Sequence, residues 1–175
     1  MPSDFPAAFA ELREILRRHA DGMLVHADTP TDFTLITPAI GPNKKPIWFG
    51  CVQVKKTAVT YHLFPLYMNP ALDRSIPPEL LARKQGKTCF NFQRPDPELF
   101  AKLEALTADA RASFARGGFL TPGPLPAEQI QSAFRAAGGD TEALARTRKA
   151  KGQAGARKRA ATLRNKKRGR AASSR

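Results

Sequence analysis

The run Ile47-Trp48-Phe49-Gly50-Cys51-Val52-Gln53-Val54, the turn Lys55-Lys56-Thr57 and the run Ala58-Val59-Thr60-Tyr61-His62-Leu63-Phe64 decide the fold class. Both runs are dense in β-branched and aromatic residues, which pack well on a pleated surface, and Pro46 opens the first. They predict a β-hairpin closed by a charged three-residue turn. Strict alternation in the first strand sets Trp48, Gly50, Val52 and Val54 on one side, with Ile47, Phe49 and Cys51 on the other. Neither side is polar, which predicts a central strand covered on both faces or nearly so. In the second strand Val59, Tyr61 and Leu63 alternate with Thr60, His62 and Phe64.

Working outward, Ser3 or Asp4 caps a helix that Pro6 enters in its first turn, where a missing N–H costs nothing. Phe5, Phe9, Leu12, Ile15, Leu16 and His19 recur at helical spacing, and Gly22 supplies the stop. Two short strand-like runs follow, Met23 to Ala27 and Phe33 to Thr37. Beyond the hairpin, Pro77-Pro78-Glu79 starts a short helix ending near Gly86, and Lys87 to Phe92 reads as a strand with Thr88, Phe90 and Phe92 on one face. Gly86-Lys87-Thr88 resembles the end of a phosphate-binding loop, yet it lacks the first glycine and precedes a strand, so it reads as a turn. Asp96 caps a long helix with Pro97 first and Glu98 near the positive end of the dipole. Its apolar stripe is Leu99, Phe100, Leu103, Leu106, Ala110 and Phe114, closed by Gly117-Gly118. This order predicts an α+β fold: a mainly antiparallel sheet with N- and C-terminal helices packed on one face.

These elements predict a domain over residues 1–118. Thr121-Pro122-Gly123-Pro124-Leu125-Pro126 has the composition of a stiff linker, so 119–145 reads as a connection. Within it, Ala127 to Ala137 patterns as a short amphipathic helix docking through Ile130 and Phe134. Residues 146–175 are mostly Ala, Gly, Lys and Arg with Leu163 as the one large aliphatic residue, too little apolar surface to offset ordering entropy.

The hairpin, its Lys55-Lys56 turn, the strand Gln85-Gly86-Lys87-Thr88-Cys89-Phe90-Asn91-Phe92 and the helix start at Asp96–Glu98 together resemble the bacterial YdhG-like family, a domain of unknown function. The resemblance covers roughly residues 5 to 115 and implies a frataxin-like α+β fold. One branch of that family is regarded as an intracellular iron chaperone, a role that needs an acidic ridge of hard oxygen ligands. Here Asp4, Glu11, Glu14 and Asp21 on and around the first helix are interleaved with Arg13, Arg17 and Arg18, so no carboxylate cluster stands out.

Charge is divided unevenly. The chain carries 29 Lys and Arg against 15 Asp and Glu, for a net charge of +14. Residues 146–175 hold 13 of those bases and no acid, so they are +13, while residues 1–145 are +1. The bases Arg146, Arg148, Lys149, Lys151, Arg157, Lys158, Arg159, Arg164, Lys166, Lys167, Arg168 and Arg170 are spaced by Gly and Ala that let a backbone follow a phosphate chain. Nucleic acid, held without sequence preference, is the expected partner. An anionic membrane or protein and plain solubilisation are the other readings. No aromatic residue lies in this stretch for base stacking. The bipartite spacing of Arg157-Lys158-Arg159 and Lys166-Lys167-Arg168 also imitates a nuclear signal.

Trp48, Tyr61, His62 and Tyr67, with Cys51, fit either an aromatic ligand pocket between sheet and helix with His62 as polar anchor, or a core with two polar-tipped aromatics at its rim. The second is the plainer reading. His26 reads as an ordinary strand residue and His19 as a cation at a helix C-terminus. Two cysteines without Cys-x-x-Cys spacing and three scattered histidines make no zinc site, and a Cys51–Cys89 disulfide would be the exception in a reduced compartment. No Ser/His/Asp or Cys/His set is identifiable, no cofactor motif is present, and no apolar stretch is long enough for a signal or a membrane span. The expectation is a non-enzymatic cytoplasmic protein.

Overall fold

The computed structural model describes residues 3–140, in which helices and a mainly antiparallel sheet alternate as an α+β fold. Helix α1 (Phe5–Arg18) starts where Asp4 Oδ1 accepts the Ala7 N–H at 3.1 Å, and it buries Ala8, Phe9, Leu12, Ile15 and Leu16 at helical spacing. Strands β1 (Leu24–Asp28), β2 (Asp32–Ile40), β3 (Pro46–Val54) and β4 (Val59–Leu63) follow. Three single-turn helices come next, α2 (Pro65–Met68), α3 (Pro70–Arg74) and α4 (Pro78–Leu81). Strands β5 (Lys84–Gln85) and β6 (Cys89–Phe92) precede the long α5 (Pro97–Arg116), which Asp96 caps by accepting from Leu99 N–H at 3.2 Å. Strand β7 (Gly123–Pro124) and α6 (Ala127–Ala136) end the series.

The sheet order is β1-β2-β3-β4-β6-β5, with β7 pairing parallel to the far end of β2. Cross-strand partners define its two faces. Phe33, Val52, Tyr61 and Phe90 lie in one row, and Leu35, Gly50 and Leu63 in the next. Those rows meet the helices: Phe49 sits edge-on to Phe114 of α5 at 5.7 Å, and Phe92 edge-on to Phe100 at 5.1 Å. Gly50 lets α1 approach, because a Cβ there would stand 3.2 Å from Leu16 Cδ1 and 2.7 Å from the His62 carbonyl oxygen.

Four expectations are revised. The β2–β3 register shifts between Leu35/Gly50 and Ile36/Trp48, leaving Phe49 as an extra residue. This β-bulge breaks the period of two. Phe49 therefore joins Gly50 and Val52 toward the helices, and Trp48 falls on the opposite face with Ile36. Second, β3 is central and buried on both faces over Phe49–Val52, Cys51 included, but its cover stops short of Trp48, which is 43% exposed. Third, residues 119–139 belong to the folded unit rather than to a linker. Phe119 and Leu125 are buried, Phe119 stacks on Phe114 at 4.5 Å, the Leu125 N–H donates to Ile40 O, and α6 runs ten residues. Apolar burial at two positions outweighs a proline-rich composition. Fourth, His19 is no simple helix-end cation. Its Nε2 is buried without a hydrogen-bond partner among the described residues, and burial lowers its pKa, against a weaker opposing pull from Glu104.

Candidate functional site

The sheet face turned away from α1 and α5 is built of three rows. Leu24, Ile36 and Trp48 form the first, and the exposed His26 brings its ring 6.4 Å from Trp48. Ala27, Thr34, Cys51, His62 and Cys89 form the second. Asp32, Gln53, Thr60 and Asn91 form the third. The face thus grades from apolar to polar along the strands.

Hydrogen bonds tie the polar end together. Asp32 accepts from Thr34 Oγ1 at 2.6 Å and from Gln53 Nε2 at 2.5 Å, and Lys55 Nζ donates to Gln53 Oε1 at 2.6 Å. Thr60 Oγ1 donates to Asn91 Oδ1 at 2.8 Å, and Asn91 Nδ2 to Gln85 Oε1 at 2.6 Å. In the middle row, His62 Nδ1 lies 3.2 Å from Cys89 Sγ and 3.0 Å from Thr88 Oγ1. Burial lowers the His62 pKa, which favours the neutral ring, and a neutral Nδ1 accepts from the hydroxyl or the thiol. Thr88 therefore turns its hydroxyl to His62 rather than lining up with Phe90 and Phe92. Cys51 is buried, which pushes its thiol pKa up to about 11. Both cysteines are free, and with β4 between their strands their backbones stand roughly 10 Å apart, beyond disulfide reach.

The four predicted aromatic-site residues do not converge. Tyr61 is fully buried on the helix side, where its hydroxyl meets Thr107 Oγ1 at 2.9 Å. Thr107 donates onward to the Leu103 carbonyl at 2.7 Å, so the phenol is the donor to Thr107. Burial raises its pKa strongly. Trp48 and His62 lie on the other face, and Tyr67 is exposed on α2 beside Phe64, with Lys87 Nζ 6.0 Å from its ring. A shared pocket is therefore corrected to one core tyrosine and three separate surroundings. Sequence reading missed Cys89 and Thr88 as neighbours of His62. Pairing the Lys87–Phe92 strand with the hairpin's second strand would have found them.

A cavity of about 540 Å³ lies elsewhere, between α2, α5 and α6. Met68, Asn69, Ser113, Phe114, Phe119 and Ala133 are among its lining residues, and Asn69 Nδ2 donates to Ser113 Oγ across it at 2.7 Å. It brings together none of the candidate site residues named from sequence.

Several carboxylates on and around α1 are engaged by arginines; among the described residues Asp4 and Glu11 are not. Arg17 Nε donates to both Glu14 oxygens at 3.0 Å, Arg13 forks onto Asp28 at 2.8 Å, and Arg111 reaches Asp21 at 2.8 Å. Arg18 grips Glu104 at 2.7 and 2.8 Å, and its hydrogen bond holds that carboxyl below its ordinary pKa. Among the described residues no group of three His, Cys, Asp or Glu side chains is placed to hold a metal ion, and no helix is long and apolar enough to cross a membrane.

The basic stretch from Arg146 to Arg170 lies outside the described residues. No protein-family model, curated protein or solved structure matches the chain.

Proposed function

We propose that this is a non-enzymatic, cytoplasmic protein that binds nucleic acid without sequence preference through residues 146–175, carried on an α+β domain of the YdhG-like kind. The observation that carries the proposal is the charge division, +13 on those thirty residues against +1 on the other 145. Lysines and arginines that neutralise phosphates release condensed counterions, and this entropy gain is independent of base sequence. The folded unit supports the assignment by what it lacks in charge. Glu14, Asp21, Asp28 and Glu104 near α1 pair with arginines, which leaves them poor candidates for the hard-ligand ridge an iron carrier needs.

The test compares the full chain with a truncation after Ala145, which retains the whole unit ending at Gly139. Duplex DNA should bind the full chain and leave the truncated one essentially unbound at the same salt concentration. Equal binding by the two would refute the proposal.

A further inference from the structure

We propose that the exposed patch of Trp48, Leu24 and His26 on the outer sheet face is a stacking platform for single-stranded nucleic acid. The inference deepens the function proposed above and rests on it. The basic stretch has no aromatic residue, so alone it gives no reason to prefer single strands to duplex. The folded unit supplies one.

Trp48 is the only tryptophan in the chain, and the Phe49 bulge turns its indole out of the helix-packed face to 43% exposure. Leu24, 54% exposed, shares its row, and the exposed His26 ring lies beside it at 48°. A contiguous apolar and aromatic surface of this kind marks a contact site. Its charge surroundings select the partner. The turn before β3 is fixed by Gly41 N–H to Lys45 O and Lys44 N–H to Gly41 O, both 2.9 Å, with Lys44 in a left-handed conformation at φ 60°. Lys44 and Lys45 are exposed, and neither forms an ion pair among the described residues. Lys45 stands three residues before Trp48, about 10 Å along the strand. A base stacked on the indole would bring its flanking phosphate within reach of that ammonium. Single strands offer both an open π-face and a phosphate, whereas a duplex hides its base faces.

The experiment titrates the full chain with oligothymidylate and, separately, with duplex DNA, following Trp48 emission and affinity. The single-strand titration should quench the emission, and Trp48→Ala should weaken single-strand binding about tenfold while leaving duplex affinity unchanged. Trp48→Phe, which keeps a stacking ring, should retain most of the affinity. Single-strand binding without quenching, or an equal loss on both nucleic acids in Trp48→Ala, overturns the platform and leaves the basic-tail reading standing. Failure of the full chain to bind either nucleic acid overturns both.

Discussion

At Gly50 two elements come too close for a side chain. An added Cβ would lie 2.7 Å from the His62 carbonyl oxygen, a backbone atom that cannot swing aside, and 3.2 Å from Leu16. Gly50→Ala should therefore cost about 1–3 kcal/mol through forced separation of β4 and α1. The check is a lower urea midpoint with an unchanged slope. His19 and His62 govern a different property. Burial lowers both pKa values, against Glu104 for His19, while His62 hydrogen-bonds to Thr88 and Cys89. Between the lowered native values and the ordinary value near 6.5, the unfolded chain binds more protons than the native one, so stability falls as pH falls. Unfolding free energy should decline from about pH 7 to pH 5, and His62→Gln should flatten that decline. The carboxylates held low by arginine, Glu14 and Glu104, act in a lower window. Their contribution is present above the ordinary carboxylate value and is lost as pH falls through the native one, and being largely exposed they contribute little.

At the scale of elements, the segment after α5 is the one whose composition misleads. Phe119 fills the core beside Phe114, and Gly123–Pro124 pairs with Ala39 and Ile40 of β2. Phe119→Ala should destabilise the folded unit by about 3 kcal/mol, measurable by thermal or urea unfolding. A mere linker residue would leave stability unchanged. The long helix was legible in advance because Asp96, Pro97 and an apolar stripe ending at Phe114 all point the same way. The hairpin was legible for the same reason, and its alternation correctly separated Tyr61 from His62. The bulge at Phe49 was not, because it costs one residue of register and leaves no composition signal. That single slip decides which face Trp48 occupies, and with it the candidate site. Helices α2 and α3 were illegible because one turn is too short for periodicity, and the prolines that start them read as breakers.

For the whole molecule, the near-neutral folded unit and the strongly basic C-terminal stretch are chemically distinct parts of one chain. The proposed affinity for a polyanion would belong to the second, which is visible in sequence as charge alone. The proposed preference among nucleic acids would belong to the first, where the sheet register brings Trp48 and His26 to one face. The central claim concerns the first of these properties, and salt dependence measures it most directly. On duplex DNA, the full chain should lose affinity with a log–log salt slope of about −5 to −9, corresponding to six to ten phosphates neutralised. The chain truncated after Ala145 should give a slope near zero with little binding at any salt. Equal slopes for the two chains would contradict the account.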